Sequence, residues 1–325
     1  MSSIPKKFFY LLFIFSLTTR AALAQHLSAA EKAIFDLHQD SLMRYADDIV
    51  SAPEANQRFR ADSFFIRSLV RALKIPNSFF YPFDSLQTIS RLYAPDTSFR
   101  LFTWQVKKDE FIYLQRGAIQ KRTADGSLKL IPLHDVSMFA VKPDDSIRTA
   151  ANWIGAIYYR IVEKSFQGKN IYTLLGFDSY NISSNKKWME ILTFNNNGEP
   201  VFGGPYFSFK DDSAKAAKIM PVRFHIEYSK EAGTTFNYDS TLDMIIFDHL
   251  VSQSNEPSRK DSYVPDGDYE GFRWQNGQWL HVVKVFNTVL KDGQYPQDQK
   301  ILNDAGGIDE NKLKNQSEEN RKKKR

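Results

Sequence analysis

The sequence predicts a mainly β protein of the α+β class, with N-terminal helices packed on a large antiparallel sheet of hairpins closed as a barrel or folded as a sandwich. A β-propeller-like arrangement is the alternative. Three observations carry this. Apolar residues recur at helical intervals as far as about residue 74, and from about Phe99 the period falls to two. Turn dipeptides then punctuate the chain: Asp125-Gly126, Gln167-Gly168, Asn197-Gly198 and Asn276-Gly277. Asn-Gly and Asp-Gly tolerate the positive φ of hairpin turns, and strands joined by tight turns are antiparallel.

Residues 1–24 read as a secretory signal peptide. Lys6 and Lys7 precede an apolar run over residues 8–17, and Ala22-Leu23-Ala24 supplies small residues at cleavage spacing, with the cut before Gln25. The run is too short to span a bilayer, and no second run of spanning length follows. The chain has no cysteine, which excludes disulfides, thiolate metal sites, cysteine nucleophiles and a lipoprotein anchor. The expectation is a soluble exported protein, periplasmic or extracellular.

Residues 25–97 read as a helical region packed on the sheet. Ser28 and Glu31 stand at capping-box spacing. Behind them Ile34, Leu37, Leu42, Tyr45 and Ile49 form one stripe that ends at Pro53. Phe59, Phe65, Ile66, Leu69 and Leu73 form a second that ends before Pro76. Both stripes are expected to face a core.

Residues 98–290 read as the antiparallel β domain. Short runs rich in β-branched and aromatic residues ("RLFTWQV", "EFIYLQRGAIQ", "KNIYTLLGF", "WMEILTF", "TLDMIIF", "QWLHVVKVF") alternate with turns. The glycine-rich stretch "LTFNNNGEPVFGGPYFSF" reads as a hairpin with Asn197-Gly198 as a primed turn. A phosphate cradle would need a following helix, and the continuation reads as strand.

Residues 291–325 read as an extension ending in a disordered basic tail. The sequence pI of 9.0 comes from the two ends of the chain, since residues 25–310 carry 33 basic against 36 acidic side chains. Nucleic-acid binding is therefore not expected.

The segments "NWIGAIYYRIVE", "IYTLLGFDSYNISSNKKWMEILTFNNNGEPVFG", "DMIIFDHL" and "YVPDGDYEGFRW" resemble a group of uncharacterised exported proteins of the Bacteroidetes. The resemblance runs from the first helix to about Phe286. It implies export and a shared fold, and it transfers no activity, cofactor or catalytic residue.

Candidate chemistry is sparse. There is no Gly-x-Ser-x-Gly elbow and no His-Glu-x-x-His helix, and the six histidines lack metal-ligand spacing. Asp248 beside His249 is the acid–base candidate, although neighbours on a strand point to opposite faces. Asp266, Asp268 and Glu270 mimic the start of a calcium loop in "DGDYEG", but Gly277 stands where the closing carboxylate belongs. Aromatic residues make up 14% of the chain, so Trp104, Trp274 and Trp279 are candidates for a sugar-stacking platform if they share an exposed face. The expected function is a cell-envelope binding or structural module without cofactor. Its partner would be an envelope polymer, a glycan or another envelope protein. The alternative is an envelope hydrolase using carboxylate and histidine chemistry.

Overall fold

The computed structural model describes residues 27–210, 220–254 and 256–286. The expected leader, its expected cleavage site and the C-terminal basic stretch lie outside the described residues. All the helices and strands named here belong to the compact unit Met1–Val283.

Two helices open the described chain, α1 (Ala29–Ser51) and α2 (Ala55–Leu73). The capping box at α1 is formed: the Ser28 hydroxyl accepts from the Glu31 N–H at 3.1 Å, and the Glu31 carboxylate accepts from the Ser28 N–H at 2.8 Å. Both otherwise unpaired backbone donors at the helix start are thus satisfied. The buried stripe of α1 is rotated from the expected one. Phe35, Leu42, Ala46 and Ile49 are buried, whereas Ile34 and Leu37 are exposed, Leu37 at 81%. On α2, Phe65, Leu69 and Leu73 are buried and Ile66 lies at the edge of exposure. No described helix is long and apolar enough to cross a membrane.

Among the described residues, fifteen strands follow in three sheets. β1 (Ser90–Tyr93), β2 (Phe99–Lys107), β3 (Tyr113–Lys121) and β4 (Lys129–Leu133) form the first, an antiparallel meander in chain order. β5 (Arg148–Thr149), β6 (Ile157–Phe166), β7 (Lys169–Asp178), β8 (Ser184–Phe194) and β9 (Pro200–Phe202) form the second, in the order β5-β9-β8-β7-β6. β10 (Phe207–Ser208) passes to the third sheet, and β11 (Phe224–Ser229) returns to pair with β8. β12 (Phe236–Asp239), β13 (Met244–Ser252), β14 (Tyr263–Gln275) and β15 (Gln278–Val282) complete the third, in the order β10-β15-β14-β13-β12. Among these strands every pairing is antiparallel except the two-residue contact of β10 with β15. None of these strand orders closes on itself, so no barrel forms among the described residues.

Side-chain alternation stacks the layers. On β2, Phe102, Trp104 and Val106 join Phe35, Leu42, Phe65 and Leu69 in the core beneath the helices. Their neighbours Phe99 and Leu101 point the other way, into a core shared with Tyr172, Leu174, Trp188 and Leu192 of the second sheet. Leu175, Met189 and Ile191 leave the opposite face of that sheet and meet Ile245, Phe247, Phe272 and Trp279 of the third. The second sheet is covered on both faces. That is why "IYTLLGF" and "WMEILTF" are nearly continuous apolar runs instead of alternating ones.

The hairpin dipeptides divide into two kinds. Gln167 and Gly168 both have positive φ (49° and 76°), as do Asn276 and Gly277 (51° and 81°), and each pair joins its strands as a two-residue primed turn. At Asn197-Gly198 only the glycine is left-handed, at φ 75°. The Gly198 N–H donates to the Asn195 carbonyl at 2.8 Å, and Asn195 N–H to the Glu199 carbonyl at 3.0 Å. This is a three-residue loop, a turn over Asn196 and Asn197 closed by a left-handed glycine, and not the primed pair expected.

Candidate functional site

The sequence-selected residues separate. Asp248 is buried and accepts from the Thr235 N–H at 2.5 Å; it is not the partner of His249. The pairing of β13 with β14 shifts register between Asp248 and Leu250, and His249 faces β14 instead. Its Nδ1 lies 2.8 Å from Asp266 Oδ2 and its Nε2 lies 3.7 Å from Glu270 Oε1. Glu270 continues through Oε2 to His281 Nε2 at 2.6 Å. His281 is buried against the rings of Phe209 and Phe272.

The stretch "DGDYEG", expected as a loop, lies inside β14. The carboxyl groups of Asp266 and Glu270 meet histidines. Burial pushes the Asp266 carboxyl up, but the Asp268 N–H and His249 outweigh it and hold the group below its ordinary value. Asp268 contributes its backbone N–H to Asp266 at 3.0 Å. The groups form a chain, Asp266–His249–Glu270–His281, and among the described residues no three such side chains converge as metal ligands would.

The three tryptophans share no surface. Trp104 is buried beneath the helices, where its Nε1–H donates to Asp62 at 2.8 Å. Trp279 is fully buried between the second and third sheets and donates to Thr173 Oγ1 at 2.8 Å. Trp274 packs edge-to-face on Trp279 with ring centroids 5.2 Å apart. Burial of large rings in sheet cores removes the platform, because sugar stacking needs an open face.

A different site emerges where the first and second sheets meet. A cleft of about 350 Å³ is bordered by Phe111 from the β2–β3 connection, by Tyr113 at the start of β3, by Met138 and Val141 from the strap that links β4 to β5, and by Asp178, Tyr180, Lys186 and Trp188. Its mouth is apolar and open to solvent: Phe111 is 63% exposed, Met138 49% and Val141 95%. Its inner polar groups are buried. Asp178, at the end of β7, accepts at Oδ1 from Gln115 Nε2 (2.7 Å) and from the Tyr180 N–H (2.9 Å). Burial pushes its carboxyl up to about 6, against the pull of the Tyr180 N–H and Lys186.

Two neighbours shape the floor. A Cβ on Gly155 would come within 2.1 Å of the Gln115 Cβ, so glycine there lets residues 153–156 close on β3 beside Gln115. Lys186 Nζ sits 3.4 Å above the Tyr180 ring centroid and 3.6 Å from Glu227 Oε2. Trp188 is 4% exposed, lies against the His225 ring at 4.6 Å between centroids, and its Nε1–H has no acceptor.

The strap is fixed from β11. His225 Nδ1 lies 3.1 Å from Asp144 Oδ1, and Val222 N–H donates to the Asp144 carbonyl at 2.8 Å. Arg223 donates to the Ser146 carbonyl at 2.9 Å and meets Glu190 at 2.8 Å, both of that pair buried. Burial pushes the Glu190 carboxyl up, and Arg223 opposes it.

Asp178, Lys186 and Trp188 are not singled out by any sequence motif. The available signal is an acid closing an apolar run, "IYTLLGFD", ahead of a strand that carries two successive lysines in its first half. Compared with known proteins, the chain matches no family model, no curated protein and no solved structure.

Proposed function

We propose that this chain is an exported cell-envelope binding module that holds its ligand in the cleft between the first and second sheets. The observation that carries the reading is a cleft with the buried side chains of Asp178, Lys186 and Trp188 in its wall and exposed apolar side chains at its rim. Apolar walls with a few inward polar groups are the usual make-up of a ligand site. Export rests on the leader pattern at Lys6, Lys7 and Ala22-Leu23-Ala24 and on the resemblance to exported proteins. No cofactor enters the reading. We read the stacked open sheets as a sandwich-type arrangement.

The test is a binding screen of the full chain against glycans, envelope polymers and peptides, with Trp188→Phe alongside. Retention of one class by the native chain and its loss in the variant is expected. Equal retention by both would remove the cleft from the account.

A second reading, an envelope hydrolase, is favoured by one observation: His249 lies between the carboxylates of Asp266 and Glu270. A histidine so held is fixed in orientation, as a general base requires. A hydrolase panel run on the native chain and on His249→Gln tests it. Turnover of any panel substrate that His249→Gln abolishes would establish it, and no turnover would end it.

A further inference from the structure

The two helices carry charge that the fold leaves unpaired. α1 and α2 are joined by residues 52–54 and pack against each other as an antiparallel hairpin. Asp36, Asp40 and Asp47 are exposed on α1, away from buried Phe35, Leu42 and Ile49. Arg60, Arg67 and Arg71 are exposed on α2, away from buried Phe65, Leu69 and Ala72. At 3.6 residues per turn each trio forms one stripe. Asp36 accepts from the Tyr81 hydroxyl at 2.8 Å. Among the described residues none of the six side chains forms an ion pair.

The spacings of the two trios are complementary. The aspartates stand four and then seven residues apart, the arginines seven and then four. Laid antiparallel, an α1 and an α2 therefore match at three points: Asp36 with Arg71, Asp40 with Arg67, and Asp47 with Arg60. Other charges near the stripes meet no like charge in that register, since Arg44 stands opposite Ser63, Asp48 opposite Phe59 and Lys74 opposite Ala33. Leu37, exposed although its sequence spacing has it facing a core, stands opposite Val70. Within one hairpin both stripes face solvent and the pairs do not close.

Two of the arginines are held ready. The Arg67 and Arg60 guanidinium groups lie 4.8 Å and 5.6 Å from the Phe64 ring centroid, and Phe64 stacks on Tyr45 of α1. A guanidinium held on a ring loses less freedom when it meets a carboxylate.

We infer that the helical hairpin is a docking surface for a second copy of this chain, with α1 of each copy lying antiparallel on α2 of the other about a two-fold axis. Such a contact is isologous, so each pair occurs twice: Asp47 meets the partner's Arg60, and Arg60 meets the partner's Asp47. A polyanion or an anionic membrane would find the same arginines but would be repelled by the aspartates beside them, whereas a second copy uses both stripes. Exposed ion pairs are individually weak and are screened by salt, so the dimer forms at low ionic strength and dissociates as salt rises.

Sedimentation equilibrium of the full chain at about 50 mM and about 500 mM salt reads the association. The native chain should be dimeric at the lower concentration of salt and largely monomeric at the higher. One variant carries Asp40→Arg with Asp47→Arg, the other Arg60→Asp with Arg67→Asp. Each turns attraction into repulsion at both contacts and should weaken self-association by at least about a hundredfold. An equimolar mixture of the two should dimerise again, because one contact is then native and the other has both signs exchanged. A chain with all four substitutions, which keeps opposite signs on its two helices, should dimerise like the native one. A native chain that stays monomeric at low salt up to about 100 µM would overturn the inference. So would a dimer that persists in both paired variants, or failure of both the mixture and the fourfold variant to dimerise.

Discussion

The Gly198 N–H donates to the Asn195 carbonyl at 2.8 Å, and the Asn195 side chain accepts in return from the backbone N–H of Asn197 (3.0 Å) and of Glu199 (2.9 Å). Two residues thus hold this hairpin in different ways, glycine by its left-handed φ and asparagine by capping two donors. A Cβ at Gly198 would meet only ordinary contacts with the ends of Lys121 and Lys129, so the cost of a side chain there is backbone strain. Gly198→Val should destabilise by roughly 1–3 kcal/mol. Asn195→Ala should cost roughly 1 kcal/mol, the loss of a local cap. Thermal denaturation of both variants checks this, and a melting curve unchanged in Gly198→Val would contradict it.

How much of this fold is legible in the sequence depends on how local each signal is. The capping box at Ser28 and Glu31 and the primed turns at Gln167-Gly168 and Asn276-Gly277 are set within a few residues, and the structure has them. The Asn197-Gly198 dipeptide fits two loop types, and the choice between them rests with the Asn195 side chain. The stacking of three sheets is hidden because a strand buried on both faces loses its alternation, as around Leu174-Leu175. The cleft is hidden for a different reason. Phe111, Val141, Asp178 and Trp188 come from four separate segments, brought together only by packing of one sheet on another.

Asp178 makes stability depend on pH with a definite sign. Its folded value, about 6, stands above the ordinary 3.8 because burial disfavours the carboxylate. Between these values the folded protein keeps a proton that the unfolded chain has released. The contribution is complete below the lower value and is lost as pH rises through the upper one, to an extent of about 2–3 kcal/mol. Asp178→Asn keeps the oxygen that accepts from Gln115 and Tyr180 and does not titrate. The variant should therefore melt several degrees above the native chain near neutral pH and lose that advantage near about pH 4. Melting curves that stay parallel across this range would contradict the assignment.

Arg100 ties the segment before β1 to the first sheet. It is fully buried and donates to the Ser78 carbonyl at 2.7 Å, to Gln120 Oε1 at 2.8 Å and to the Tyr93 hydroxyl at 2.9 Å, with the Phe102 ring at 4.7 Å. Burial lowers its pKa to about 10, which leaves it charged at neutral pH. Lysine cannot reproduce the planar fork, so Arg100→Lys should cost about 2–4 kcal/mol through acceptors left unfilled. Arg122→Lys, at an exposed position, should fall within about 0.5 kcal/mol of the native chain. Chemical denaturation of the two variants compares them, and equal midpoints would refute the role given to Arg100.

The leader pattern predicts cleavage between Ala24 and Gln25 on export. Intact-mass measurement of the exported protein should give a species beginning at Gln25. A mature species that retains Lys6 and Lys7 would count against the reading.

Backbone amide exchange of the full chain, with and without the molecule retained in the binding screen, tests whether ligand binds between the first and second sheets. Protection is expected to gather at residues 111–113, 137–143 and 178–188 and to be absent in Trp188→Phe. Protection confined to residues 249–270, or unchanged exchange around the cleft while the ligand is bound, would contradict it.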